Sequence, residues 1–151
     1  MSDDVVEDAR PPAMVVSMLS PVLRRVLRSP LGKRIGKLAT IDVIGRRTGR
    51  TYRVVTGWYE LDGRKLVFTP ARWRANFADG APAVVCHQGR VERHVGKLER
   101  DHGAVAESLN RVIRAGTSPR TLGLRSPKGH TITADDVRRL DRSQIEFRTA
   151  P

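Results

Sequence analysis

The chain has 151 residues, 39% apolar and 29% charged, which suits one compact domain and leaves too little chain for two separate cores. Its longest charge-free stretch, Pro11 to Leu23, contains three prolines and falls short of the roughly 20 apolar residues of a membrane-spanning helix. A single cysteine, Cys86, excludes an internal disulfide, and an acidic start is unlike a secretory signal, so a cytoplasmic location is expected.

The formal charge is +12, and it is uneven. Residues 1–10 carry four acids and one base, which leaves +15 on the rest, and ten Lys or Arg face one acid, Asp42, between Arg24 and Arg53. An anionic partner is implied: a phosphate, a polycarboxylate, nucleic acid or an anionic membrane. Arginine outnumbers lysine 23 to 5, a bias that either bidentate anion recognition or, more simply, the codon usage of a GC-rich genome would produce.

Residues 1–12 hold too little apolar surface to pack and read as a disordered acidic tail. Residues 13–37 read as a basic, amphipathic helical segment. Ser20-Pro21 supplies a cap and a first-turn proline, then Val22, Leu23, Val26 and Leu27 fall opposite Arg24, Arg25 and Arg28. Packing on the domain is the plain role of its apolar face; peripheral docking of 20–37 on the inner face of an anionic membrane is the sharper one. From 38 to 151 the pattern predicts a β-domain. Leu38–Ile44 alternates as a strand, Gly45–Arg50 is a turn, and Thr51–Leu61 is a strand running into the hairpin signal Asp62-Gly63, with Lys65–Thr69 as the return. Pro70–Gly80 breaks the β-pattern, with Trp73, Asn76 and Phe77 spaced along one side of a helical turn. Ala83–His87 and Val91–Leu98 form a second hairpin around Gln88-Gly89. Asp101 caps a helix through Val105, Leu109, Val112 and Ile113 that Gly116 ends; Thr133 and Asp136 form a capping box for a short helix to Leu140; Ile145 and Phe147 lie in a last strand. About six strands in consecutive hairpins predict an antiparallel split β-barrel with peripheral helices.

Metal chemistry is not expected. His87, His94, His102 and His130 are scattered, and Cys86 and His87 point to opposite faces of one strand. Cys86 and the serines lack a nucleophile elbow, so a buried structural cysteine is expected. The informative stretch is Gly45-Arg46-Arg47-Thr48-Gly49-Arg50-Thr51-Tyr52-Arg53. Two glycines four apart allow a tight turn whose N–H groups line a concave nest, Thr48 adds a hydroxyl, and the arginines add fixed charge, a combination suited to an oxyanion. It lacks the Gly-Lys-Ser/Thr ending of a P-loop. A solvated basic hairpin is the plain alternative.

Gly-Arg-Arg-Thr-Gly-Arg after a strand, an Arg-containing strand, an Asp-Gly hairpin and Trp73-Arg74-Ala75-Asn76-Phe77 together resemble the deazaflavin-dependent nitroreductase family, within the flavin and deazaflavin oxidoreductases of split-barrel fold. The similarity covers about Leu38 to Val95. It implies that Arg47, Thr48, Gly49, Arg50 and Arg53 hold the phosphate of a 5-deazaflavin, coenzyme F-420, with Arg46 in the layer behind them. It also implies that Phe68, Thr69 and Pro70 approach the ring, with Trp73 and Asn76 shaping the site, and that FMN is the alternative occupant. Arg24–Lys37 would face the coenzyme's oligoglutamate tail. The chain departs from the family in its short Pro70-Ala71-Arg72 link, in Tyr52 where a base is frequent, and in Ala81-Pro82 after Gly80.

The resemblance implies an oxidoreductase passing a hydride from reduced coenzyme to a small electrophile such as a quinone or nitro compound, with no catalytic acid or base identified. Tyr52 and Tyr59 are the proton donors on offer. A non-catalytic split-barrel protein that binds a deazaflavin, a flavin or a hydrophobic ligand is the alternative. A nucleic-acid module is the third, disfavoured because the seven aromatics fall at core positions without a base-stacking signature. Pairing of barrels into a homodimer is compatible with the sequence.

Overall fold

A computed structural model describes residues 7–8 and 38–150. The expected helices of 13–37, with their membrane and oligoglutamate contacts, lie outside the described residues, as does most of the acidic tail.

The described chain is mainly β, with β1 (Glu7–Asp8), β2 (Leu38–Ile44), β3 (Thr51–Gly57), β4 (Tyr59–Leu61), β5 (Arg64–Thr69), β6 (Ala81–His87), β7 (Arg90–Glu99), β8 (Leu124–Arg125) and β9 (Ser143–Thr149). A 3₁₀ helix spans Arg72–Phe77, and the α-helices are α1 (His102–Arg114) and α2 (Ala134–Leu140). Seven strands form one antiparallel sheet in the order β3-β2-β6-β7-β9-β5-β4, while β1 pairs with β8. The two edge strands, β3 and β4, are joined by one residue, Trp58. Chain continuity therefore forces the sheet to curl until its edges meet at that point, giving a half-barrel.

The expected strand Thr51–Leu61 is thus two strands, which raises the count in this sheet from six to seven. Register explains the break. β3 pairs along β2 from Ile44↔Thr51 to Leu38↔Gly57, whereas β4 pairs with β5 from Tyr59↔Leu66 to Leu61↔Arg64. Trp58 makes the corner and buries its ring in the barrel against Phe147, 5.4 Å between centroids. The two tight hairpins form as expected, with left-handed residues at Asp62-Gly63 and Gln88-Gly89.

Alternation along the strands builds two cores. Ala39, Ile41, Val43, Trp58, Val67, Phe77, Val85, Leu98, Ile145 and Phe147 fill the curled sheet. Leu66 and Phe68, flanking Val67, instead pack with Tyr59 and Leu61 against Val105, Leu109 and Val112 of α1. That helix begins at Asp101, whose Oδ1 accepts from the Gly103 N–H at 3.3 Å. α2 carries the capping box, with Thr133 Oγ1 accepting from the Asp136 N–H at 3.1 Å and Asp136 Oδ2 from the Thr133 N–H at 3.0 Å. Phe77 anchors the 3₁₀ helix in the barrel, edge-on to Phe147 at 5.4 Å.

Candidate functional site

The basic loop Gly45–Arg50 closes the β2–β3 hairpin. The Gly45 N–H donates to the Arg50 carbonyl at 2.8 Å and the Gly49 N–H to the Gly45 carbonyl at 2.9 Å. Gly49 adopts φ of 70°, a conformation that favours glycine. Four of the six loop N–H groups are satisfied inside the protein: these two, Arg50 on Thr48 Oγ1 at 3.2 Å, and Arg46 on Asn76 Oδ1 at 2.8 Å. The N–H groups of Arg47 and Thr48 have no partner among the described residues. The nest expected from the sequence is therefore two donors wide.

Asn76 is the clamp that docks the loop. Besides accepting from Arg46, its amide donates to the Tyr52 hydroxyl and to the Trp73 carbonyl, both at 2.9 Å. Arg46 adds a bond to the Ala75 carbonyl at 3.0 Å and an ion pair with Asp79 at 3.4 Å. Burial pushes the Tyr52 phenol above its ordinary value, against the pull of the Asn76 donor, so it stays protonated at neutral pH.

Between the loop and the 3₁₀ helix lies an open cleft of about 860 Å³, in the range of cofactor sites. Gly45, Arg46, Arg47 and Thr48 line it with Arg72, Arg74, Ala75, Asn76 and Arg100, five arginines and no acid among the described residues. Arg74 is fixed in place, donating to the Thr69 carbonyl at 3.3 Å and pairing with Asp141 at 2.9 Å. A second groove of about 370 Å³ runs along α1 and carries both signs of charge, including Arg64, Lys97, Glu99 and Glu107.

Of the residues predicted from the sequence, Arg46, Arg47, Thr48 and Asn76 share the cleft. Gly49 shapes the loop behind it, and Arg50 is exposed on the loop without lining it. Arg53 lies elsewhere. It faces Asp42 across the β2–β3 register and forms a two-bond fork with that carboxylate, so its charge is already matched. Phe68 is buried in the core beneath α1, against Tyr59 at 5.9 Å. Thr69 Oγ1 accepts from the Ala71 N–H at 3.0 Å and so stiffens the Pro70 link rather than facing the cleft. Trp73 packs edge-on against Phe77 at 6.1 Å, at the rim of the barrel core. Sequence reasoning missed Arg72, Arg74 and Arg100. Nothing distinguishes these three among 23 arginines until the fold brings their segments together.

Cys86 is buried, and no group of three His, Cys, Asp or Glu suits a metal among the described residues. Nor is any described helix long and apolar enough to cross a membrane.

No family model and no curated protein matches the chain. Among solved structures it is similar to an FAD and heme binding protein from Mycobacterium smegmatis, with a TM-score of 0.48 and 14% identity over 97% of this chain and 69% of that one. It is also similar to a protein of unknown function from Agrobacterium tumefaciens str. C58, with a TM-score of 0.41 and 18% identity over 96% of this chain and 58% of that one.

Proposed function

We propose that the arginine-lined cleft anchors the phosphate of a redox coenzyme of the deazaflavin or flavin class, and that the protein is a reductase acting on a small electrophile such as a quinone or nitro compound. The observation that carries this reading is the meeting of Arg47 and Thr48 with Arg74, Ala75 and Asn76 around one cleft that no acid lines among the described residues. The donor set fits a phosphate: two free N–H groups, the Thr48 hydroxyl and a guanidinium without a carboxylate partner among the described residues.

When bound, the coenzyme supplies hydride-transfer chemistry. Arg47, Thr48 and their N–H groups fix the anionic end, and Asn76 holds the loop in register. Such positioning lowers the entropy cost of bringing two reactants together. Tyr52, bonded to Asn76 and kept protonated by burial, is the proton donor nearest the cleft among the two tyrosines. Tyr59 donates to the Thr121 carbonyl at 2.9 Å and is committed to the packing of the 117–125 segment. Phe68 and Thr69, which the resemblance sets beside the ring, are engaged instead in core packing and turn formation.

The test is titration of the purified protein with coenzyme F-420 and with FMN, read by tryptophan fluorescence. Saturable binding is expected, weakened by about one to two decades in Arg47→Ala, the loss of one charge-assisted hydrogen bond. Saturation by FMN alone would reassign the coenzyme. Absence of saturation by either would overturn the reading.

A further inference from the structure

Arg47, Arg72 and Arg100 reach the cleft from three separate stretches of chain: the β2–β3 loop, the 3₁₀ helix and the link between β7 and α1. All three are exposed, and among the described residues no carboxylate lines the cleft with them and their side chains have no ion pair or hydrogen bond. Arg46 and Arg74 differ, since each is tied to a carboxylate and to a carbonyl. Three unmatched guanidinium groups converging on one concave surface repel one another, and a bound anion relieves that repulsion. A single phosphate engaged by Arg47 and the two free loop N–H groups leaves Arg72 and Arg100 unmatched. Arg72 stands four residues before Asn76, the residue that docks the loop, and Arg100 belongs to a third segment.

We propose that the cleft is a two-point oxyanion site, whose ligand carries a second oxyanion group a few bonds from the phosphate, held by Arg72 and Arg100. The first point rests on the reading of the loop given above; the second is independent of which coenzyme is bound. The chemistry that fits is a diphosphate, or a phosphate with a neighbouring carboxylate, because planar guanidinium forks bind both.

Calorimetric titration at constant ionic strength with orthophosphate, pyrophosphate and phosphoglycolate tests this. At least one of the two-anion probes is expected to bind about tenfold or more tightly than orthophosphate, from one added charge-assisted contact. A larger gain for pyrophosphate assigns a diphosphate, and a larger gain for phosphoglycolate assigns a carboxylate. In the double variant Arg72→Ala, Arg100→Ala the gain should vanish while orthophosphate affinity stays as it was. Arg120→Ala, an exposed arginine that does not line the cleft, should change neither. A gain that survives the double variant, or is lost equally in Arg120→Ala, would mean diffuse attraction to a basic surface and overturn the proposal. If Arg47→Ala abolishes orthophosphate binding but neither probe shows a gain, the loop reading stands and the second point falls. A gain that depends on Arg72 and Arg100 but not on Arg47 would support the second point and remove the loop from the site.

Discussion

At the scale of single residues, the clearest departure from ordinary chemistry is His94. Its side chain is 2% exposed, neither ring nitrogen has a hydrogen-bond partner, and Trp58 meets it edge-on at 5.6 Å. Glu92 on the same strand comes within 3.8 Å, and Lys65 on β5 within 3.9 Å of Glu92. Burial lowers the imidazole below its ordinary value, Lys65 lowers it further, and Glu92 opposes both. The folded state therefore disfavours the imidazolium relative to the unfolded chain. Its contribution to stability is present above the unfolded value of about 6.5 and is lost as pH falls from there through the depressed folded value. Urea unfolding of the parent protein should show stability decreasing between about pH 6.5 and pH 5, above the carboxylate range. His94→Gln should flatten that slope. An unchanged slope in the variant would assign the titration to another histidine. Asp42 and Arg53 make a second point at this scale. Their pairing follows from the hairpin register, so the matched charge of Arg53 was legible once Ile44 was placed opposite Thr51.

Among the elements, the hairpins follow directly from the sequence because the turn residues are local signals: Asp62-Gly63 and Gln88-Gly89 fix both register and strand ends. The corner at Trp58 was easily missed, since Thr51–Leu61 is rich in strand-forming residues and only Gly57 marks the point at which the partner changes from β2 to β5. Gly96 is where elements meet most closely. It faces the barrel interior on β7, and a Cβ placed there would lie 2.7 Å from both the Phe77 and Phe147 rings. The 3₁₀ helix seats Phe77 against this glycine, which ties one side of the cleft to the barrel core. Gly96→Ala should cost about 1–3 kcal/mol through overpacking, read as a lower urea midpoint at unchanged slope. Gly103→Ala is the contrasting case: it sits in the first turn of α1 with nothing nearer its Cβ than Asp101 Oδ1 at 3.7 Å. That change should be neutral or stabilising by up to about 1 kcal/mol. Equal losses at both positions would show that backbone freedom, rather than the two phenylalanine rings, decides the effect.

On the scale of the whole molecule, 28 bases against 16 acids make the folded state self-repelling, and the cleft gathers three arginines, Arg47, Arg72 and Arg100, without a carboxylate partner among the described residues. This gathering was only half legible. The loop Gly45–Arg50 announces itself by its glycines and consecutive arginines, whereas Arg72 and Arg100 enter the same cleft only because β2, β6 and β7 pair as neighbours and bring the end of β2, the start of β6 and the end of β7 to one end of the sheet. Two kinds of stabilisation by anions follow, and they can be separated. Simple salt screens all the charges, with a Debye length of about 8 Å at 0.15 M, and should raise the melting temperature of the parent protein and of Arg47→Ala alike. A ligand bound at the cleft acts by mass action, contributing about 2.7 kcal/mol at a concentration of about 100 times its dissociation constant. For a chain of this length that is a shift of roughly several degrees. Coenzyme added at constant ionic strength should therefore raise the melting temperature of the parent protein, with a much smaller shift in Arg47→Ala at the same concentration. If the two proteins respond equally to the coenzyme and to sodium chloride, the stabilisation is screening of the net charge, and the cleft is no more than the most basic part of a basic surface.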